Sequence, residues 1–317
     1  MRRTCLDMVH ELAREDERVV FIGSDLGPGV LDDMRTEMPH RFFIEGVSEA
    51  NIIGMAAGLA MDGYIPYVNT IATFLTRRCF EQISMDLCLH NLPVRLIANG
   101  GGLVYAPLGP THIAIDDIGL MRTQPNMTIV SPSDAEEMRH FMPETLDWNG
   151  PIYIRLGKGG DPIISHGNPV FKIGIGIILR PPANITLAAS GIMSGKALEA
   201  ANILNARGIS CGVVHFPTIK PLDVDMVRDL AEISDVIITL DEHLLNNGLG
   251  TAILETLNDA TSVSRPTIRR FGIHDQFTRH YGSQDTLLEE FGLQPHQIAE
   301  EVDRIVREAA ASGGGMK

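Results

Sequence analysis

Short uninterrupted apolar runs alternate with helical patterns along almost the whole chain, and this alternation constrains the fold more than any other feature. Val19-Val20-Phe21-Ile22 and residues 65–68, 93–98, 127–130 and 151–155 read as strands that are apolar on both faces. Between them, apolar residues recur at helical spacing. Leu6, Val9, Leu12 and Ala13 mark a helix over 3–15, and a second runs from about 49 to 60. A third spans 73–88 with Phe74, Phe80 and Ile83 inward, and a fourth opens with the capping-box pattern Ser133-Asp134-Ala135-Glu136 and ends near 146. A strand apolar on both sides needs cover on both sides, so the expected class is α/β with a mainly parallel sheet between helical layers. The same grammar returns after a break, with strands at 185–189, 211–216, 235–240 and 266–271. Helices follow at 195–207, 223–233, 248–260 and from about 295. Residues 157–182 are rich in Gly and Pro with weak periodicity. The expected organisation is therefore a domain over 1–160, a linker over 161–182, a second domain over 183–310, and a flexible tail over 311–317. A chain of 317 residues is long enough for two domains of ordinary size.

The chemistry concentrates between Phe43 and Ala60. A strand end, a turn at Gly46 and a helix follow one another, with Ser48 as the expected N-cap, its hydroxyl accepting from first-turn N–H groups. Gly54, Ala56, Ala57, Gly58 and Ala60 make that helix slim, suited to burial against close neighbours on several sides. Glu49 stands at its first position. An acid there favours the helix dipole by about 0.3–1 kcal/mol when exposed. Beside so apolar a helix it is desolvated instead, and needs a partner or a raised pKa. A ligand nitrogen sharing a proton would supply one.

Composition excludes several classes. The formal net charge of −14 argues against nucleic acid or an anionic membrane as the main partner, although phosphorylated small molecules need only local positive charge. No apolar run reaches membrane-spanning length, and Met1-Arg2-Arg3 leads into an amphipathic helix rather than an apolar signal core. The four cysteines show no C-x-x-C, and no histidine spacing suits zinc. They read as reduced thiols, so a cytoplasmic location is expected.

Six stretches, taken in order, carry a resemblance. They are Gly23-Ser24-Asp25-Leu26, Gly46-Val47-Ser48-Glu49, Gly109-Pro110-Thr111-His112, Ser131-Pro132-Ser133-Asp134, Thr218-Ile219-Lys220-Pro221-Leu222-Asp223, and Asp241-Glu242-His243 with Gly248-Leu249-Gly250. Together they resemble the pyrimidine-binding and C-terminal domains of the transketolase family, from residue 2 to about 307. The 1-deoxy-xylulose-5-phosphate synthases and the beta subunits of 2-oxo-acid dehydrogenases share this arrangement. The family's diphosphate motif, Gly-Asp-Gly with an Asn downstream, has no counterpart here, since Gly160-Asp161 continues into Pro162. The resemblance thus implies one subunit of a split transketolase. Its N-terminal, diphosphate-binding partner would hold thiamine diphosphate's Mg2+ or Ca2+, in an α2β2 heterotetramer acting on sugar phosphates.

The resemblance also implies roles. Glu49 falls where the family hydrogen-bonds N1′ of the aminopyrimidine and so helps to generate the ylid. Phe74 falls where an aromatic stacks on the pyrimidine, and Asp25 where an acid lies near the cofactor and the subunit interface. His112 aligns with a histidine facing substrate oxygens, whereas Arg155 and Arg2 align with arginines that hold the sugar phosphate. Arg77 departs from transketolase but matches the deoxyxylulose-phosphate synthases. On residue type alone, Glu49 can be a dipole acid, Phe74 a core ring, Asp25 a turn former, His112 a loop residue and Arg155 a surface charge. His90 and His243 are read as structural. Three departures bear on the pocket: Leu108 replaces an aspartate that reads a sugar hydroxyl, Ile71 replaces an aromatic, and Asn99 opens a Gly-rich stretch where transketolase has a histidine. An unpaired hydroxyl costs about 1–3 kcal/mol, so these changes imply a deoxy, branched or otherwise modified sugar. A 2-oxo-acid-decarboxylating enzyme and a non-catalytic homologue are the alternatives.

Overall fold

A computed structural model describes residues 1–24, 30–167, 171–260 and 264–311, with side chains as far as residue 308. The first half runs α1 (Arg2–Glu15), β1 (Val19–Gly23), α2 (Asp32–Glu37), β2 (Phe42–Ile44), α3 (Glu49–Met61) and β3 (Ile65–Ile71). Two wide π turns, Phe74–Arg78 and Ile83–Cys88, then flank a single α turn, α4 (Phe80–Gln82). After these come β4 (Arg95–Asn99), α5 (Asp117–Arg122), β5 (Thr128–Val130), α6 (Ala135–Phe141) and β6 (Ile152–Leu156). The second half runs β7 (Ile177–Arg180), β8 (Ile185–Ala189), α7 (Met193–Ala206), β9 (Cys211–His215), β10 (Thr218–Lys220), α8 (Val224–Ile233), β11 (Val236–Leu244), α9 (Leu249–Asp259), β12 (Thr267–Ile273), α10 (Gln284–Glu290) and α11 (Pro295–Ala311).

Two sheets result. The seven-stranded one has the order β10-β5-β6-β4-β3-β1-β2 and is parallel except for β10. The five-stranded one has the order β12-β11-β8-β9-β7 and is parallel except for β7. The central strands β1, β4, β5, β6, β8 and β9 are buried at every position, as double-sided cover requires. One face of the first sheet packs Ile52, Ile53 and Ala56 of α3 against Val68, Leu96 and Ile129. The other packs Leu6 and Val9 of α1 and Phe141 of α6 against Phe21, Ile97 and Ile154. Each fully buried aliphatic or aromatic side chain contributes about 1.5–3 kcal/mol relative to exposure.

Four features differ from the sequence reading. Residues 161–182, read as a linker, contain β7, which closes one edge of the second sheet. β10, which the apolar pattern passes over, crosses back to pair with β5 and extends the first sheet from the second half of the chain. α10 is a further element. Within this single chain α3 is covered on one side only, and Asn51, Gly54, Gly58 and Met61 remain exposed. Residues 312–317 of the expected tail lie outside the described residues. Among the described residues, no helix is long and apolar enough to cross a membrane.

Candidate functional site

The site lies at the carboxyl ends of β1, β3 and β4, where open parallel sheets commonly present a crevice to ligands. Gly46, at φ +69°, turns the chain from β2 into α3 and delivers Glu49 to the first helical position. Ser48 precedes it, but its hydroxyl donates back to the Glu45 carbonyl at 3.0 Å, so the expected cap is not made. The Glu49 side chain is 2% exposed. Its partner is Arg78, whose Nη1 donates to Oε2 at 2.6 Å. The same guanidinium lies 4.4 Å above the centre of the Phe74 ring, within cation–π range. The ring of Phe74 meets that of His112 edge-on, with centroids 5.3 Å apart. His112 is tethered by its carbonyl, which accepts from Thr73 Oγ1 at 3.1 Å, and by a 2.8 Å bond between its Nδ1 and Thr111 Oγ1.

Of these groups, Glu49, Phe74 and His112 line a cavity of about 370 Å3. Val47, Ile71, Arg2 and Tyr105 line it as well. Its floor is polar. Ser24 Oγ donates to Thr70 Oγ1 at 2.7 Å, and Asn99 Nδ2 donates to Asn69 Oδ1 at 2.8 Å. Among the described residues, Asn99 Oδ1 and Asn69 Nδ2 are left buried without a partner. Buried polar atoms are costly when unpaired, so an orphan acceptor lining a cavity is a place for a ligand donor. A larger cavity of about 460 Å3, beside Arg122 and Lys220, gathers no comparable set: Arg122 there is already paired with Glu255.

Six of the residues singled out from the sequence therefore converge here: Glu49, Phe74, Ile71, His112, Asn99 and Arg2. Three do not. Arg77 turns away and forms a two-bonded pair with Asp116, both bonds at 2.9 Å. The segment is a π turn, wider than an α turn, and it brings Arg78, four residues on, rather than Arg77 over Phe74. Arg155 is not a free cation for phosphate. Its Nε and Nη2 bond Asp117, and Nη2 also donates to the carbonyls of Ala114 and Glu242. With 7% exposure it is a buried tie between the two halves of the chain. Leu108 is 49% exposed in a short turn and does not line the cavity, so its side chain reads no hydroxyl within this chain. Asp25 lies outside the described residues.

Arg78, Tyr105, Thr70 and Asn69 were missed. Arg78 carries no signal in the sequence, because nothing in the composition marks the π turn that brings it over Phe74. Tyr105 is signalled only by Gly100, where a Cβ would sit 2.1 Å from the tyrosine ring. Of the histidines read as structural, His90 is exposed. His243 is buried; its Nε2 accepts from the Gly119 N–H, while Nδ1 donates to the Leu244 carbonyl.

Comparison with known proteins completes the picture. The family described as "Transketolase, pyrimidine binding domain" matches residues 1–160, and "Transketolase, C-terminal domain" matches 174–298. The chain is 36% identical over 307 residues to a 1-deoxy-D-xylulose-5-phosphate synthase of Heliobacterium modesticaldum, covering 96% of this chain and 46% of that one. It thus spans about half the length of that relative. It is 34% identical over 299 residues to the 6-deoxy-6-sulfo-D-fructose transketolase subunit SqwH of a Clostridium strain, covering 94% and 92%. A solved structure described as a split gene transketolase, inactive beta4 tetramer, superposes with a TM-score of 0.85 at 33% identity, over 96% of each chain. With its pyrimidine-binding domain, its C-terminal domain and a full-length relative at this identity, the chain belongs to the transketolase family.

Proposed function

We propose that the chain is the pyrimidine-binding subunit of a split, thiamine-diphosphate-dependent transketolase, transferring a two-carbon ketol unit between a phosphorylated ketose and an aldose. The observation that carries this is Glu49, a buried carboxylate at the head of α3, lining a cavity beside Phe74 and His112. The residues fit an aminopyrimidine: a carboxylate for a ring nitrogen, an aromatic face for stacking, and the orphan Asn99 Oδ1 for a donor. Thiamine diphosphate, when bound, would supply the electron sink for cleavage of a carbon–carbon bond beside a carbonyl. Glu49 shares a proton at its carboxylate oxygen, and the dry surroundings of α3 strengthen that hydrogen bond. Phe74 orients the ring, and Ile71 adds apolar surface beside it. His112 turns its imidazole toward substrate oxygens, and Arg2, at the cavity edge, offers positive charge to a phosphate.

A partner subunit is supported by two likenesses, to SqwH and to the split-gene neighbour, each along nearly the whole of both chains. On those likenesses we assign the diphosphate and its Mg2+ or Ca2+ to that partner, and the assembly to an α2β2 heterotetramer. The open Gly54–Gly58–Met61 side of α3 is an apolar surface that assembly would cover. SqwH acts on a sulfonated deoxy-ketose by name, and this likeness now carries the modified-sugar reading in place of Leu108. The likeness to a synthase favours one second reading, a subunit taking pyruvate with release of carbon dioxide.

The test is Glu49→Gln in the assembled enzyme. The amide is isosteric but cannot share the proton in the same sense, so ketol transfer falls by about 10²–10⁴-fold with the melting temperature preserved. Full activity in the variant overturns the assignment, and carbon dioxide released from pyruvate by the parent selects the second reading.

A further inference from the structure

Both contacts that the proposed function asks of an aminopyrimidine are already made in this chain, by one of its own side chains. A guanidinium is flat and delocalised, and it stacks on aromatic rings while donating to a carboxylate. Arg78 does both at once, 2.6 Å from Glu49 Oε2 and 4.4 Å above the centre of Phe74. We propose that Arg78 is a built-in occupant of the pyrimidine slot, which the incoming ring displaces; this rests on the reading of Glu49 and Phe74 given above.

The reasoning is electrostatic. Glu49 is 2% exposed, and a buried carboxylate without a partner is strongly unfavourable. Arg78 is 46% exposed, so one end of the pair is dry and the other is already half in water. Withdrawing Arg78 alone would strand the acid. Withdrawing it while a ring nitrogen, protonated from solvent, donates that proton's hydrogen bond to the carboxylate leaves the acid partnered throughout, and the released guanidinium regains hydration. The exchange keeps the charge balance of the wall. It also makes the empty slot selective, because a flat ring that stacks without donating to Glu49 cannot replace both contacts of the arginine.

Local structure supports a side chain that can leave. Arg78 ends a π turn rather than a regular helix, on a segment whose other arginine, Arg77, is held separately by Asp116. The two neighbouring cations thus have different anchors: one is fixed to a loop carboxylate away from the cavity, and the other rests on the two groups proposed to bind the ring.

The experiment is a ligand-observed NMR titration of the free chain with 4-amino-5-hydroxymethyl-2-methylpyrimidine, the ring without its diphosphate arm. Three variants accompany the parent: Arg78→Met, Arg78→Lys and Glu49→Gln, each checked for folding by thermal melting. Displacement of a resident arginine predicts that Arg78→Met binds about tenfold tighter than the parent. Arg78→Lys, which keeps the charge but not the plane, falls between them and serves if the methionine variant does not fold. Equal or weaker binding by Arg78→Met, with binding lost in Glu49→Gln, overturns the displacement while leaving the role of Glu49 intact. Saturable binding by none of the folded proteins, or binding unaffected by Glu49→Gln, removes the pyrimidine site itself.

Discussion

Glu49, Asp117 and Glu242 are three buried carboxyl groups in one chain, and each meets the cost of burial differently. Glu49 takes a half-exposed arginine as its partner. Asp117 is fully buried, which opposes ionisation, but Arg155 overrides this and holds its pKa below the ordinary range, with Tyr153 donating at 2.8 Å. Among the described residues, no cation is bonded to the Glu242 carboxylate. Burial raises its pKa to about 7, while Arg155, Gln284 and the Leu103 N–H pull only partly the other way. An acid whose pKa rises on folding binds a proton on folding between its ordinary value of 4.5 and the folded value of about 7, so stability falls as pH climbs through that window. Glu242→Gln keeps an acceptor for Leu103 and Gln284 without the titration. It is expected to flatten the pH dependence, gaining roughly 1–3 kcal/mol over the parent at pH 8 and little at pH 4.5, read from urea midpoints. A parallel loss at both pH values would show that Glu242 is ionised in the folded chain.

At the scale of elements, α6 shows how a short helix is anchored. Asp134 accepts from the N–H groups of Glu136 and Glu137, and also from the N–H groups of Ile164 and Ser165 and the Ser165 hydroxyl. One carboxylate therefore caps α6 and pins the start of the segment leading to the second sheet. Asp134→Ala is expected to cost about 2–4 kcal/mol, more than a simple cap, because several buried donors are left unpaired. Those bonds lower the Asp134 pKa against the effect of burial. Its contribution is therefore complete above pH 3.8 and is lost as the pH falls through the depressed value, so the parent and variant converge in acid. The sequence pattern placed this capping box at Ser133 and Glu136; in the fold it is shifted by one, with Glu137 reaching back to the Ser133 N–H. Such one-residue slips mark the limit of what is legible. Apolar runs located the buried strands because burial on two faces leaves no choice of residue type. β7 and β10 escaped because each is a short edge strand whose partner lies far along the chain. Arg78 escaped because two adjacent arginines differ only in helical phase, and the π turn that sets this phase has no compositional signal. Glu49 and His112 were legible because each sits in one of the six stretches that carry the resemblance, and Phe74 because the same resemblance expects an aromatic there, whereas Asn69 and Thr70 belong to a strand whose polar end reads as ordinary β-sheet.

The whole molecule is held together by buried polar ties as well as by apolar contact. His215 of β9 bonds Ser194 Oγ through Nδ1 at 2.6 Å and Glu137 of α6 through Nε2 at 3.1 Å, so a second-half strand is fixed to a first-half helix. Arg155 does the same at the other end, joining Asp117 to the carbonyl of Glu242. Gly101 and Gly102 let these parts close up: a Cβ on Gly101 would lie 2.5 Å from Arg155, and one on Gly102, at φ +72°, 2.4 Å from the Glu242 carboxyl. If Arg155 held a sugar phosphate, Arg155→Met would raise the KM for a phosphorylated substrate and leave unfolding unchanged. As an interdomain tie it predicts the opposite. Removing the guanidinium strands Asp117 as a buried charge and costs about 3–5 kcal/mol, because breaking one half of a buried pair is worse than lacking the pair. Asp117→Leu combined with Arg155→Met removes both charges, and is expected to recover a substantial part of that loss in urea unfolding. A double variant no more stable than the single one would mean that the arginine acts through its two carbonyl bonds, while an unchanged melting curve for Arg155→Met would return it to the substrate.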